Sequence, residues 1–234
     1  MINIFGKNVL YEAVKSGQRF HHLYLREDVY EKDKKFLNMA SRKGIKVDSL
    51  GKEKMNQLFP GLNQGYGAVI EDIRTYEISE LICHEKKQLF MVLDQLEDPN
   101  NLGAIIRSAD AFSIDGIIIP DKKNVGITPT VVKVSTGAIF HVKLAFVGNI
   151  NQIIDKLKKE NVWVVGADMD ADINLKDLKF DRSLAVVIGS EGFGIRDMVK
   201  KNCDYMVKIP MTGHVNSLNA SVSAGIIIST LVNS

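Results

Sequence analysis

Small and polar residues are concentrated in one segment near the end of the chain, IPMTGHVNSLNASVSAGI, from Ile209 to Ile226. They lie where an apolar strand pattern gives way to a helix pattern, and they are Gly213, Asn216, Ser217, Asn219, Ser221 and Ser223. A buried amide or hydroxyl without a hydrogen-bond partner costs about 1–3 kcal/mol. We therefore expect this junction to contact a ligand, a substrate or another chain. Ser217 and Asn219 are also suited to starting the helix, but helix capping does not explain the whole group.

A glycine-rich turn is predicted within residues 186–195, VVIGSEGFGI, where an apolar strand runs into Gly189, Gly192 and Gly194. Glycine allows the backbone to approach a ligand closely, and Glu191 can accept hydrogen bonds from a hydroxyl or an amine. A plain turn without a ligand is the alternative. The spacing differs from the GxGxxG of dinucleotide sites and lacks the Lys-Ser/Thr of a P-loop, so we do not predict a phosphate-cradling nucleotide site.

A third segment, DQLEDPNNLGAIIRSADAF, starts at Asp94 and also follows an apolar run. Residues 98–101 predict a turn and a cap, and Gly103 permits close approach at the start of a helix. Arg107 follows Gly103 by one helical turn, so that its side chain can project near the end where Asn101 presents its amide. The alternative is a helix with an exposed arginine and a capping asparagine.

Apolar runs from Leu89 onward predict buried parallel strands, and helix patterns lie between them. The runs cover residues 89–93, 116–119, 142–146, 162–165, 184–188 and 205–209. Ligands of open parallel sheets bind beyond the carboxyl ends of the strands. We therefore expect the loops after residues 93, 188 and 209, which open the three polar segments, to lie together.

Before residue 89 the strand and helix patterns are shorter and less apolar, and they predict a smaller unit. Residues 1–72 form an N-terminal α/β domain of alternating elements, among them a helix over residues 31–43. Residues 73–88 are polar and mixed in sign, which indicates a linker with room for one short helix. The second domain then spans residues 89–234.

Composition narrows the class of protein. The 234 residues are 45% hydrophobic and 25% charged, which is typical of a soluble globular protein. No apolar run approaches the roughly 18–20 residues of a membrane span, and the first residues lack a signal-peptide pattern, so we expect a cytoplasmic protein without a membrane partner. The two cysteines and five histidines lack ligand spacing, and we predict neither a disulfide nor a metal site.

A net charge of +2 permits nucleic-acid binding without arguing for it. One group of cations is close together in the N-terminal domain: Lys32, Lys34, Lys35, Arg42, Lys43 and Lys46. Such a cluster can follow a phosphate backbone. On charge alone, a solvated helix face is the favoured explanation.

Taken jointly, NNLGAIIRSADA, IGSEGFGI and IPMTGHVNSLNASVSAGI closely resemble, in this order, the three motifs of the SpoU-type 2′-O-ribose RNA methyltransferases of the SPOUT superfamily. The opening IFGKNVLYEAVKSG and the stretch NQGYGAVIED resemble the substrate-binding domain of the RlmB-like branch, which methylates a guanosine ribose in 23S rRNA. The resemblance implies an α/β catalytic domain with a mostly parallel sheet and a deep trefoil knot. Because chains rarely thread loops, the periodicity alone would have predicted an unknotted open sheet.

The resemblance also implies a cofactor and an assembly. Family members hold S-adenosylmethionine in the knot, largely through backbone groups, and work as homodimers with each site near the interface. Matched to this sequence, the cofactor contacts are Gly189, Ile209 and Leu218, with Met211 and Gly213 nearby. The small residues on the last helix would then pack against the second subunit.

The residues matched to catalysis in the family are Arg107, Asn101, Glu191, Ser217 and Asn219. The implied reaction is in-line attack of a ribose 2′-oxygen on a methyl group attached to a sulfonium, with loss of one proton and no need for a metal. A guanidinium is effectively always charged. We therefore expect Arg107 to orient the ribose or its phosphate and to stabilise the developing oxyanion, rather than to act as a base.

Other functions remain open from the sequence. Related enzymes with the same motifs modify tRNA, and an RNA-binding relative without activity would keep the fold. The N-terminal domain favours rRNA as the target, and the retained motif residues favour an active enzyme. A Rossmann-type dehydrogenase is disfavoured because the glycine fingerprint and the acidic residue that follows it are missing.

Overall fold

The computed structural model describes residues 1–214 and 217–233. Asn216, one of the residues in the predicted polar junction, lies outside the described residues. The chain divides into two compact units. Unit 1 contains Met1–Arg74 and Ile127–His141, and unit 2 contains Thr75–Gly126 and Val142–Ser234. None of the helices within the described residues is long and apolar enough to span a membrane.

Strands and helices alternate along most of the chain. The strands of the described residues are β1 (Ile2–Phe5), β2 (Phe20–Arg26), β3 (Asp48–Leu50), β4 (Tyr66–Ile70), β5 (Leu89–Leu93), β6 (Gly116–Pro120), β7 (Leu144–Val147), β8 (Trp163–Ala167), β9 (Ile173–Asn174), β10 (Leu184–Ile188) and β11 (Tyr205–Lys208). The helices are α1 (Lys7–Ser16), α2 (Glu27–Lys32), α3 (Lys34–Arg42), α4 (Lys52–Leu58), α5 (Ile78–Leu81), α6 (Pro99–Ala111), α7 (Pro129–Val134), α8 (Ile150–Lys159), α9 (Asp197–Lys201) and α10 (Ala220–Val232).

Unit 1 is built on a four-stranded mixed sheet with the order β1-β4-β2-β3. Its core includes the apolar face of α1, whose residues recur at helical spacing, together with Leu23 and Leu25 of β2. The helix predicted over residues 31–43 is in fact two helices, because Asp33 ends α2 and caps α3 by accepting a hydrogen bond from the Phe36 amide.

Residues 127–141 pack in unit 1, whereas the sequence predicted a second domain that contained them. Helix α7 contacts β1, and Lys133 lies 4.8 Å from the centre of the Phe5 ring. His141 Nε2 lies 3.0 Å from the carboxylate of Glu12 on α1. Hydrophobic periodicity predicts which residues are buried, but it does not show which element covers them, so this pairing was not predictable.

The predicted linker is also partly structured. Residues 78–81 form α5, and Ile78 and Leu81 are buried in the core of unit 2. A capping box between Glu77 and Glu80 closes the start of this short helix. The predicted linker thus contains the one short helix for which it had room, and from Thr75 onward it is part of the second unit.

Unit 2 contains a seven-stranded sheet with the order β7-β6-β5-β10-β8-β11-β9. Each neighbouring pair within it is parallel. One face packs on α5, α8 and α9 through a buried cluster that includes Phe90, Val92, Val187, Ile154 and Val199. The predicted α/β class with a mostly parallel sheet is confirmed. The trefoil knot stays a prediction, because the segment that would complete it includes residues 215 and 216.

The topology brings the polar segments to one edge of this sheet. Strands β5 and β10 pair in register, so that Leu93 lies opposite Ile188 and the loops that follow them start side by side. Helices α6 and α10 pack together, and a side chain at Gly225 would lie 3.7 Å from the hydroxyl of Ser108. The start of α10 is thereby held near the start of α6.

Candidate active site

The glycine-rich turn after β10 is closed by its own backbone. Ser190 and Gly194 form an isolated bridge, with N···O distances of 2.9 Å and 3.2 Å. A Cβ atom at Gly189 would lie only 2.0 Å from the carbonyl carbon of Gly194, and Gly194 has a positive φ of 63°. Gly192 has neither constraint. Two of the three glycines are therefore required by the geometry of the loop, which holds Glu191 and Phe193 at its tip.

An ion pair between a buried carboxylate and an exposed arginine anchors the end of this loop. The carboxylate of Asp94, at the end of β5, has no exposed surface and accepts hydrogen bonds from the Arg196 amide at 3.0 Å and from its Nε at 2.9 Å. A second guanidinium nitrogen of Arg196 lies 2.7 Å from the same carboxylate. This pair was not predicted from the sequence, although an aspartate directly after an apolar strand was the available signal.

One residue from each polar segment meets the other two at the strand ends. Asn101 donates to Glu191 at 3.0 Å, Asn219 donates to the Oδ1 atom of Asn101 at 2.9 Å, and Asn219 also donates to Glu191. We call Asn101, Glu191 and Asn219 the amide–carboxylate hub. It joins residues that are 90 and 118 positions apart in the chain.

The helix that follows determines which way these amides point. The Oδ1 atom of Asn219 accepts hydrogen bonds from the amides of Ser221 and Val222 at 2.9 Å and 3.3 Å, as a helix cap does. Backbone N–H groups can only donate, so the NH₂ group of Asn219 must face Asn101 and Glu191. The Oε1 atom of Glu191 thus receives two amide donors, while its Oε2 atom has no hydrogen-bond partner among the described residues.

Two cavities adjoin the hub and share the loop from Ser190 to Phe193. The larger one, of about 450 Å³, has walls that include Gly189, Ile209, Met211, Ser217 and Leu218. The smaller one, of about 360 Å³, has walls that include Gln95, Asp98, Asn101, Lys123 and Glu191. Within the described part of the chain, the hydroxyl of Ser190 is buried without a hydrogen-bond partner at this shared wall.

An ion pair between Asp168 and Lys200 lies in the larger cavity, and their charged groups are 2.5 Å apart. Burial acts to raise the pKa of Asp168, but the hydrogen bond from Lys200, the amide of Asp170 and the charge of Lys200 outweigh it. The pKa of Asp168 is therefore below its usual value. The same hydrogen bond raises the pKa of Lys200, so that both groups are charged at neutral pH. Neither residue was predicted from the sequence.

Comparisons with known proteins agree with the motifs. The family model described as SpoU rRNA Methylase family matches residues 88–229, and the one described as RNA 2′-O ribose methyltransferase substrate binding matches residues 3–76. The chain is 39% identical over 233 residues to YacO of Bacillus subtilis (strain 168), which is named for the TrmH family of tRNA/rRNA methyltransferases. That alignment covers 96% of this chain and 92% of YacO. The chain belongs to the SpoU methylase family.

Other relatives extend this result. A protein of Staphylococcus haemolyticus (strain JCSC1435), with a name that gives the same family, is 40% identical over 97% of this chain and 93% of its own. The fold is also that of the SpoU methyltransferase AviRb from Streptomyces viridochromogenes, solved in complex with the cofactor AdoMet. The TM-score is 0.83 at 24% identity, over 99% of this chain and 89% of AviRb. The predicted family, enzyme class and cofactor are confirmed at the level of the SpoU family.

All but one of the residues matched to the SpoU cofactor contacts line the larger cavity. Gly189, Ile209, Met211 and Leu218 line the larger cavity, as does Ser217. Gly213 does not line it, and a side chain there would meet nothing within 4 Å. The residues matched to SpoU catalysis are divided: Asn101, Glu191 and Asn219 form the hub, Ser217 is on the cavity wall, and Arg107 is elsewhere.

Arg107 lies on the exposed side of α6 and lines neither cavity. It is six residues beyond Asn101, a rise of about 9 Å along the helix axis. Among the described residues it has no hydrogen-bond or ion-pair partner. Side chains on a helix lean toward its N-terminus, so the guanidinium can reach toward the hub, but no contact holds it there.

Proposed function

We propose that this protein methylates the ribose 2′-oxygen of a guanosine in 23S rRNA, with S-adenosylmethionine as the methyl donor. The observation that carries the proposal is the amide–carboxylate hub, in which one residue from each SpoU motif is hydrogen-bonded at the junction of two cavities. Two adjoining cavities suit a reaction between two bound molecules. Family membership supports RNA ribose methylation, and the finer choice of target is our inference.

The larger cavity fits the cofactor. Its volume lies within the roughly 300–1,000 Å³ of typical ligand pockets, and it combines apolar walls at Ile209, Met211 and Leu218 with the charged Asp168–Lys200 pair. The unpartnered hydroxyl of Ser190 offers one more polar group. When bound there, S-adenosylmethionine would supply an electrophilic methyl group. We propose that the closed glycine loop positions its backbone against this group and that Ser217 contacts its reacting end.

We propose that the hub positions the ribose of the RNA. Asn101 and Asn219 both donate to the Oε1 atom of Glu191, which fixes the carboxylate and leaves Oε2 without a hydrogen-bond partner among the described residues. Glu191 lines both cavities. A fixed acceptor can orient a ribose hydroxyl by receiving its hydrogen bond. We propose that Glu191 aligns the 2′-hydroxyl in this way, with the two asparagines acting as positioning residues.

Arg107 would act from outside the hub. Its permanent charge can bind a phosphate of the RNA next to the target ribose and stabilise negative charge that develops on the 2′-oxygen. The absence of an ion-pair partner among the described residues supports this role. The proton of the hydroxyl would then pass to a phosphate oxygen, water or another neighbour, because a guanidinium cannot act as a base near neutral pH.

The N-terminal match favours rRNA as the substrate. Residues 3–76 match the substrate-binding family that is described for RNA 2′-O ribose methyltransferases, and the catalytic match is described as an rRNA methylase family. In unit 1, helix α3 carries Lys34, Lys35 and Arg42 as exposed cations, which can follow a phosphate backbone. We infer that residues 1–72 bind RNA and that residues 89–234 carry the reaction. A tRNA target is the alternative, since the names of the relatives include both RNAs.

We further propose that the protein works as a cytoplasmic homodimer through its catalytic part. Val222 and Ile226, one turn apart on α10, are 49% and 37% exposed although they are large and apolar. A dimer seam along α6 and α10 would also bring Arg107 of one subunit near the other.

The test is transfer of a labelled methyl group from S-adenosylmethionine to rRNA and to tRNA, followed by mapping of the ribose that becomes resistant to alkali. We expect one guanosine of 23S rRNA to be labelled. Glu191→Gln should lower transfer about 10²–10³-fold, the loss expected for removing one positioned polar group. Met198→Ala is the matched control, because Met198 is 66% exposed and lines neither cavity.

Calorimetry with S-adenosylmethionine distinguishes the ways in which the proposal can fail. Cofactor binding without transfer to any RNA would identify a silent RNA-binding relative. Labelling of tRNA alone would keep the chemistry and overturn the target. If Arg107→Lys retained wild-type turnover at every pH, that result would argue against both the positioning role and any base role of Arg107.

A further inference from the structure

Phe193 is the most exposed large apolar side chain in the described residues, with 90% of its surface accessible. Burial of a phenylalanine normally stabilises a fold by about 1.5–3 kcal/mol, so an exposed ring forgoes a large contribution. Its ring makes no ring–ring or cation–π contact with any other described residue. Gly192 and Gly194 flank it, so the backbone presents the ring without support from its neighbours.

The position of the ring is more specific than its exposure. Phe193 lines both the larger and the smaller cavity, so it forms part of the wall between them. It follows Glu191 by two residues, which limits the distance between their Cα atoms to about 7 Å. The Ser190–Gly194 bridge closes the loop beneath it. The closed loop therefore places a flat apolar side chain near the carboxylate that we assign to the ribose.

The chemistry of the substrate identifies what fits this surface. A ribose held at Glu191 carries its base on the same sugar, so the base must lie close to the hub. Bases removed from a stack gain their largest contact from an aromatic face, and such stacking does not depend on which base is present. We propose that Phe193 is the platform on which the base of the methylated nucleotide stacks, so that the ribose is presented to Glu191. This inference rests on the proposed function.

The experiment compares Phe193→Ala, Phe193→Leu and Phe193→Trp in the full-length protein. A labelled-methyl assay gives kcat and KM for the RNA, and calorimetry gives the affinity for S-adenosylmethionine. Loss of one base–aromatic stack should lower kcat/KM by about 5- to 150-fold in Phe193→Ala. In Phe193→Leu, kcat/KM should fall by nearly as much, because leucine is apolar but not flat. In Phe193→Trp, kcat/KM should stay within about threefold of wild type. Cofactor affinity should be unchanged in all three.

An RNA that lacks the base at the methylated position provides an independent readout. It should react slowly with the wild type, and Phe193→Ala should cause no further loss with it, since the two changes remove the same contact. Additive losses would show that the ring and the base do not interact. Met198→Ala serves again as the exposed apolar control and should match the wild type with both RNAs.

Several results would overturn the inference. Unchanged kcat/KM in Phe193→Ala would show that the ring has no role with RNA, and full activity in Phe193→Leu would show that only an apolar contact is needed. A loss of S-adenosylmethionine affinity would assign the ring to the cofactor, and a change in sedimentation would assign it to a subunit contact. No transfer by the wild type would overturn the proposed function itself, which separates that failure from this one.

Discussion

Asp33 in unit 1 and Glu191 in unit 2 are carboxylates that each receive several hydrogen bonds, but they differ in how many of their oxygens have partners. Asp33 in unit 1 accepts from the hydroxyls of Tyr11 and Tyr66 and from the Phe36 amide, and Lys7 lies 3.7 Å away. In unit 2, the donors to Glu191 converge on its Oε1 atom. Both oxygens of Asp33 accept hydrogen bonds, whereas the second oxygen of Glu191, a residue that lines both cavities, has no hydrogen-bond partner among the described residues.

This difference suggests that Asp33 stabilises the fold of unit 1, whereas Glu191 is available to bind a substrate. Asp33 links α1, the start of α3 and β4, and its donors include two phenols that pack on Phe36. Burial acts to raise the pKa of Asp33, but hydrogen bonds from Tyr66, the Phe36 amide and Tyr11 outweigh it and lower the pKa. The hub in unit 2 instead uses asparagine amides, which do not titrate and which orient one carboxylate without saturating it.

The largest effect should come from Glu191→Gln, measured as activity rather than stability. Glutamine keeps the shape but replaces a carboxylate oxygen with an NH₂ group, which faces either the amide donors or the ribose hydroxyl. We expect kcat to fall about 10²–10³-fold, with a free energy of unfolding within about 0.5 kcal/mol of wild type because the side chain is exposed. A loss of stability comparable to that of an Asp33 variant would contradict the distinction between the two carboxylates.

For Asp33→Ala we expect the reverse: a large loss of stability with little loss of activity. The substitution leaves the Tyr11 and Tyr66 hydroxyls without their acceptor and removes the cap of α3, and we expect unfolding by urea to become easier by about 2–3 kcal/mol. The kcat of the folded protein with saturating RNA should stay within about twofold of wild type. Tyr11→Phe is the milder control, because it removes one donor and leaves the carboxylate paired.

Asn219 combines both roles, and its variants should separate them. Asn219→Ala removes the cap of α10 and two donors of the hub, so we expect about 1 kcal/mol less stability as well as reduced activity. Asn219→Asp can still cap the helix but places a second carboxylate against Glu191. We therefore expect it to retain the thermal midpoint better than Asn219→Ala while remaining poorly active. Equal activity in Asn219→Asp and wild type would show that the amide donors are dispensable.

The smallest effect is the contribution of two tyrosines of unit 1 to the dependence of stability on alkaline pH. Burial, together with the hydrogen bond and charge of Asp33, raises the pKa of Tyr11 to about 12, and similar causes raise that of Tyr66. Since a free tyrosine titrates near pH 10, these residues contribute full stability below pH 10, and that contribution declines as the pH rises toward 12. Urea unfolding at several pH values should show this decline, and Tyr11→Phe should reduce its slope. An unchanged slope would refute the Tyr11 contribution.

Much of the site could be predicted from the sequence because its residues occur in local, recognisable segments. The apolar runs predicted the strands at residues 89–93 and 184–188 with their exact ends, and the glycine pattern predicted the loop that follows β10. The packing of residues 127–141 in unit 1 was not predictable, since apolar periodicity does not specify a partner. The same reason explains why Asp94–Arg196 and Asp168–Lys200 were missed: each pair joins residues that are distant in the chain.

The sequence by itself determined the family, the α/β class and the identity of the polar residues, because motif spacing and hydrophobic periodicity are local properties of a chain. Only the tertiary structure decided which of these residues act together. Parallel pairing of β5 with β10 brings Asn101 and Glu191 within hydrogen-bonding distance, and the packing of α10 on α6 adds Asn219. The same packing leaves Arg107 outside the hub, because six residues of helix place it about 9 Å farther along the axis.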